Sequence, residues 1–227
     1  MRAHIVWDWN GTLFDDVEAV VAASNAAFAS VASPVKGLPP LTVEQYREQY
    51  RVPVIGFYEQ VMGRVPTPEE WVLMDRSFHE HYESRRDACG LTAGAPGALA
   101  DWSAGGLRSQ SLLSMYAHAE LLPLVRRLEL EPHFLRVDGR DGTSGISGKS
   151  AYLVRHLAAI AHEGVDPART VLIGDVVDDA VAAAHVGARA VLFAGGSHAR
   201  STLEQVGVPV ADTLAQAVAY AQELVKS

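Results

Sequence analysis

A doubly wound parallel α/β sheet carrying an all-helical insertion is the architecture predicted for this sequence of 227 residues. Three observations lead to it. Short apolar runs recur without polar alternation, the habit of parallel strands covered by helices on both faces. From about Ala93 onward, helical periodicities separate those runs. Residues 33 to 89, in contrast, show helical patterning and no strand pattern.

Taken in order, His4-Ile5-Val6-Trp7 forms the first apolar run and ends at Asp8. Asp15 and Asp16 are placed to cap a helix whose stripe is Val17, Val20, Val21, Ser24, Phe28 and Val31. Ser33 to Pro40 reads as a Pro- and Gly-bearing linker. Helical stretches follow near Val43–Tyr50, Val54–Met62 and Pro68–Arg86, with Trp71, Phe78 and Tyr82 at helical spacing. The chain returns to sheet pattern near Gly90. Ser111-Leu112-Leu113 then precedes Ser114, Val171-Leu172-Ile173 precedes Gly174-Asp175, and Arg189 to Phe193 precedes Ala194-Gly195. Between and after them lie helices over Ala119–Leu128, Lys149–His162, Asp178–Val186 (stopped by Gly187) and Ala211–Val225. The expected division is a core of residues 1–16 and 90–227 with a helical cap of residues 17–89.

Composition narrows the function. Nineteen basic against 27 acidic residues give a net charge of −8, unlike a nucleic-acid-binding footprint. The single cysteine, Cys89, excludes an internal disulfide framework and a Cys-rich zinc site. Asp8 interrupts the apolar stretch a signal peptide would need, and the longest uncharged run, Ala19 to Val35, is too short and polar to span a membrane. A cytoplasmic protein, monomer or homodimer, binding neither nucleic acid nor membrane is the expectation. Only Lys36, Lys149 and Lys226 are available for any role that needs a lysine.

Ligands of open parallel sheets gather outside the carboxyl ends of the strands. Three strand candidates end at Asp8, Ser114 and Asp175, and Lys149 opens a helix between the second and third of these sites. Asp8-Trp9-Asn10-Gly11-Thr12, then Ser114, then Lys149, then Gly174-Asp175-Val176-Val177-Asp178-Asp179 resemble the four motifs of the haloacid dehalogenase-like hydrolases, in order and over nearly the whole chain. The resemblance implies a Rossmann-like core, a cap between the first two motifs, and Mg²⁺-dependent hydrolysis of a small phosphorylated metabolite through an aspartyl-phosphate, as in phosphoglycolate phosphatase-like members. It implies Asp8 as nucleophile and Ser114 and Lys149 as phosphate ligands. The metal would be held by Asp8, the Asn10 carbonyl and Asp175, with Asp178 and Asp179 behind them. The chemistry is coherent: a carboxylate nucleophile splits one displacement into two, hard oxygens suit Mg²⁺, and a lysine neutralises two anionic reactants.

Asn10 departs from the pattern. Most phosphatases of this family have a second aspartate there, protonating the leaving group and later activating water. An amide moves no proton, and losing a general acid–base typically costs about 10²–10⁴-fold. Asp15 and Asp16 are the neighbouring carboxylates that could serve instead. Two other readings follow: a degenerate member that binds a phosphorylated ligand or a partner with little turnover, and a phosphonoacetaldehyde hydrolase-like C–P hydrolase. The second matches Trp9 but needs a cap lysine, for which only Lys36 is near. A haloacid dehalogenase would not need the Asp175 arrangement. Gly148-Lys149-Ser150 lacks the glycine five positions upstream that a P-loop requires, since Thr143 stands there. His79, His81 and Glu83 read as a solvated helix face rather than a metal site. Arg47, Arg51, Arg64 and Tyr58 are the cap side chains expected to meet a substrate.

Overall fold

A computed structural model describes residues 2–31, 39–141 and 148–226. Its main sheet has six parallel strands in the order β5-β4-β1-β6-β7-β8. They are β1 (Arg2–Trp7), β4 (Arg108–Ala117), β5 (Val137–Arg140), β6 (Val165–Gly174), β7 (Arg189–Phe193) and β8 (Val210–Ala211). The doubly wound parallel sheet is therefore observed. β1 is central: Val6 lies opposite Ser111 of β4 on one side and Leu172 of β6 on the other. The chain fills one half of the sheet before crossing to the other, which opens a crevice at the carboxyl ends of β1, β4 and β6.

Strand apolarity is explained by burial on both faces. Ile5 and Trp7 face one apolar cluster with helices α5 (Ala95–Ser103), α6 (His118–Arg127) and α10 (Leu214–Leu224). Val6, Leu113 and Leu172 face the other, with α7 (Lys149–Ile160), α8 (Val177–His185) and α9 (Arg200–Glu204). Strands β5 and β8 and helix α5 escaped the sequence reading. Val137-Asp138-Gly139-Arg140 lies at the sheet edge and is only half-buried, so it carries no apolar run.

The chain leaves the core through β2 (Phe14–Asp15) and returns through β3 (Gly90–Leu91), which pair antiparallel. Between them lie α1 (Val17–Ala29), α2 (Val43–Gln49), α3 (Val54–Met62) and α4 (Pro68–Arg86), with no strand among the described residues. Thr42 with Gln45, and Thr67 with Glu70, form reciprocal capping boxes that start α2 and α4. Asp16, by contrast, stands at the head of α1 without capping it. Phe28, Tyr46, Phe57, Tyr58, Met62 and Met74 pack a separate apolar cluster among these helices. Most of the expected linker, and the segment before Lys149 that includes Thr143, lie outside the described residues, as does Lys36. No described helix is long and apolar enough to cross a membrane.

Candidate active site

Asp8 follows directly on β1, where its backbone N–H still donates to Ile173 O at 2.8 Å. Asp175 occupies the equivalent place after β6, and Lys149 is the first residue of α7. Lys149 Nζ lies 2.6 Å from Asp8 Oδ1 and also donates to Asp179 Oδ1. Oxygens of Asp8, Asp175 and Asp179 all lie within 4.8 Å of one another, and all three residues are buried. Asp179 also accepts from Val176 N at 3.1 Å, and Asp178 accepts from Lys149 N at 2.9 Å, closing the first turns of α8 and α7.

Three carboxylates against one ammonium leave an excess of buried negative charge, and titration behaviour follows. Burial, aided by Asp179 and Asp175 and opposed by Lys149, pushes the Asp8 carboxyl well above its usual range. Burial and the charge of Asp179 raise Asp175 to about 6. Burial disfavours the Lys149 charge, yet Asp179 and Asp8 prevail and hold its ammonium more firmly than usual. Hard oxygen donors with surplus negative charge fit a divalent cation such as Mg²⁺. Among the described residues no other group of His, Cys, Asp and Glu has this geometry. His79 and His81 sit on the exposed face of α4, bound to Asp75 and to Ser77 O respectively.

Backbone packing keeps this cluster tight. Gly11 has φ +68°, and a Cβ there would lie 2.5 Å from Asp175 Oδ2; one on Gly196 would also strike the Asp175 side chain. Thr12 Oγ1 donates to Asp175 Oδ1 at 3.2 Å and Ser197 N donates to Asp175 Oδ2 at 2.6 Å. Thr12 closes the first motif, whereas Ser197 was invisible in the sequence because it belongs to no motif or periodic pattern.

Asn10 and Ser114 form the other flank. Ser114 Oγ donates to Asn10 Oδ1 at 3.4 Å and accepts from Tyr116 N at 3.0 Å. Asn10 Nδ2 donates to Asp16 Oδ2 at 2.6 Å and to the Tyr82 hydroxyl at 2.9 Å. Tyr82 in turn donates to Asp16 Oδ2 at 2.7 Å, and Gly11 N donates to Asp16 Oδ1 at 2.9 Å. Asp16 is thus a fully buried carboxylate ringed by donors; burial still raises its pKa against the bonds from Asn10, Tyr82 and Gly11. The sequence suggested a helix cap at this position. What the fold adds is Tyr82, which reaches Asp16 from α4, 66 positions away.

The expected cap side chains divide. Arg47 reaches the core, donating from Nε to Gly196 O at 2.8 Å and from Nη2 to Gly195 O at 2.7 Å. Arg51 bonds the carbonyls of Glu48 and Tyr50, Arg64 is paired with Glu70 at 2.7 Å, and Tyr58 is buried in the helical cluster. Trp9 packs into the sheet's apolar cluster, stacked on Phe14 at 5.0 Å.

Similarity to known proteins agrees with this geometry. No curated protein is a significant match to the sequence. A haloacid dehalogenase-like family hydrolase from Streptococcus pneumoniae superposes with TM-score 0.75 at 16% identity, covering 96% of this chain and 98% of that one. A predicted phosphoglycolate phosphatase from Haemophilus somnus gives 0.70 at 17% identity over 95% and 96% of the two chains. A haloacid dehalogenase-like protein of unknown function from Agrobacterium tumefaciens gives 0.75 at 19% over 99% of each. The family model described as HAD-hydrolase-like matches residues 148–217, the segment holding Lys149, Asp175, Asp178 and Asp179. The resemblance read from the motifs is therefore matched in structure over nearly the whole chain: the protein has the haloacid dehalogenase-like hydrolase fold, and its segment 148–217 carries that family's sequence signature.

Proposed function

We propose that the protein is a Mg²⁺-dependent phosphatase acting on a small phosphorylated metabolite, with residues 17–89 as a helical cap over a core of residues 1–16 and 90–227. The observation that carries this reading is Lys149, buried between Asp8 and Asp179 at the crevice where the strands end. Asp8 is the nucleophile and Lys149 holds its attacking oxygens and the incoming phosphoryl group by charge. Ser114 hydrogen-bonds that group, and Asp178 and Asp179 fix Lys149. Asp8, the Asn10 carbonyl and Asp175 would hold Mg²⁺, which when bound neutralises phosphoryl oxygens. The test is phosphate release from a panel of phosphorylated metabolites, with and without Mg²⁺; no release from any, at high enzyme concentration, would overturn it.

A second reading, a phosphate-ligand binder with little turnover, is favoured by Asn10, whose amide is engaged by Asp16 and Tyr82. Asn10→Asp separates the two. It sets a second, half-buried carboxyl within hydrogen-bond distance of Asp16. Like charges that close share a proton, so the new group holds one near neutrality, the form a general acid needs. Steady turnover should rise about 10-fold or more. Because the pair's folded pKa is raised, its cost appears as pH rises through that value, and the variant melts lower at pH 8 than at pH 5 relative to the native chain. Brisk native turnover of sugar phosphates, unchanged by Asn10→Asp, would show that another group moves the proton. Intact-mass analysis belongs beside it, since Asn-Gly pairs deamidate.

Metal loading has its own signature. Raised Asp8 and Asp175 pKa values mean that the metal-free chain loses stability as pH rises through about 6. A divalent cation binds the deprotonated form and reverses that loss. The melting-temperature gain given by Mg²⁺ should therefore be small at pH 5 and grow by pH 7.5. An equal gain at both, or none, counts against the site.

A further inference from the structure

The loop after β7 holds a buried donor that nothing in the mechanism above uses. His198 is 3% exposed, its Nδ1 accepts from Val177 N at 3.2 Å, and its Nε2 has no partner among the described residues. Accepting at Nδ1 fixes the neutral tautomer with the proton on Nε2. Burial and the nearby Arg51 charge lower its pKa to about 4, which keeps the ring neutral at physiological pH. A buried N–H without an acceptor keeps its desolvation penalty, so a ligand supplying one is favoured.

The surroundings identify where that ligand sits. Tyr50, just after α2, packs its ring 5.5 Å from the His198 ring. Burial raises the Tyr50 pKa, with smaller contributions from Asp175, Tyr58, Asp8 and Asp178, so the phenol keeps its proton and remains a donor. No hydrogen bond occupies the Tyr50 hydroxyl among the described residues. The neighbouring residue, Ser197, donates its N–H to Asp175, and Arg47 of α2 clamps Gly195 and Gly196. One loop thus joins α2, Asp175 and two free donors.

We propose that His198 Nε2–H and the Tyr50 hydroxyl form a specificity subsite that binds a neutral oxygen, a hydroxyl or carbonyl, on the leaving group of the phosphomonoester. This rests on the phosphatase reading above. Two uncharged donors suit a neutral acceptor oxygen. Sites built to bond a substrate hydroxyl reject the analogue that lacks it far more strongly than apolar pockets discriminate methylenes.

The experiment is binding rather than turnover. In the Asp8→Asn background, dissociation constants for sn-glycerol 3-phosphate and propyl phosphate are measured by calorimetry with Mg²⁺. These esters differ only in two hydroxyls. The glycerol ester should bind at least about 10-fold more tightly. His198→Asn keeps an acceptor for Val177 N and withdraws the Nε2 donor; it should reduce that preference about 10-fold, and Tyr50→Phe should reduce it too. An unchanged preference, an equal loss for both esters, or no preference at the outset overturns the subsite. Phosphate release by the native chain is scored alongside: a preference without release sinks the phosphatase reading and leaves the subsite, whereas release without a preference does the opposite.

Discussion

Lys149→Met is expected to destabilise the protein by about 3–5 kcal/mol at pH 8 and to abolish phosphate binding. The ammonium is bonded to both Asp8 and Asp179 and is 3% exposed, so no water replaces it. Its removal leaves three carboxylates within 4.8 Å with no cation between them. Asp8 and Asp175, whose raised pKa values Lys149 opposes, then hold their protons more firmly. A carboxyl whose folded pKa is raised stabilises below its ordinary pKa and loses that contribution as pH rises, so the deficit should shrink between pH 8 and pH 5. Mg²⁺ should restore part of the melting temperature, because it supplies the missing charge. Thermal denaturation across pH, with inorganic phosphate titrated into the folded variant, checks both halves. Phosphate affinity retained per folded molecule would make Lys149 a structural residue only.

Why the sequence revealed this centre is a matter of location. Asp8, Ser114 and Asp175 each follow an apolar run of the kind that suits a buried parallel strand, so their common end of the sheet could be read off the pattern, although β4 runs past Ser114 to Ala117. Lys149 was singled out by its place in the motif order, with only three lysines to choose from. Asp16 and Tyr82, His198 and Tyr50, and Arg47 with Gly195 and Gly196 obey a different logic. Each pair joins distant segments through one or two hydrogen bonds or a ring contact, and no periodicity records such a meeting. Asp16 illustrates the cost of local reasoning. At the head of a helix a capping role is the natural expectation, yet its carboxylate turns back to Gly11, Asn10 and Tyr82 because burial demands donors on both oxygens. The same applies to the short strands β5 and β8, whose pairing is dictated by neighbours rather than by their own composition.

Asp8→Asn is expected to remove about 10⁴-fold or more of the turnover, along with the burst that should precede it in the native protein. The burst follows from Asn10. Attack by Asp8 on a phosphomonoester with a good leaving group, an aryl or acyl phosphate, needs little protonation of the departing oxygen, so the first step survives without a proton donor. Hydrolysis of the aspartyl-phosphate needs a base to activate water, and the amide of Asn10 is no base. One equivalent of leaving group should therefore appear quickly, followed by a slow steady rate, and a phosphoryl-mass adduct should accumulate on the chain. An asparagine side chain at position 8 keeps the shape and one oxygen acceptor for Lys149 but is too poor a nucleophile to form the intermediate. Removing one of three crowded carboxylates also relieves repulsion, so the variant should melt no lower than the native chain at pH 8 in the absence of Mg²⁺. That combination, activity lost and fold retained, distinguishes a nucleophile from a residue that holds the site together. A burst that persists in Asp8→Asn would assign the covalent step to another side chain.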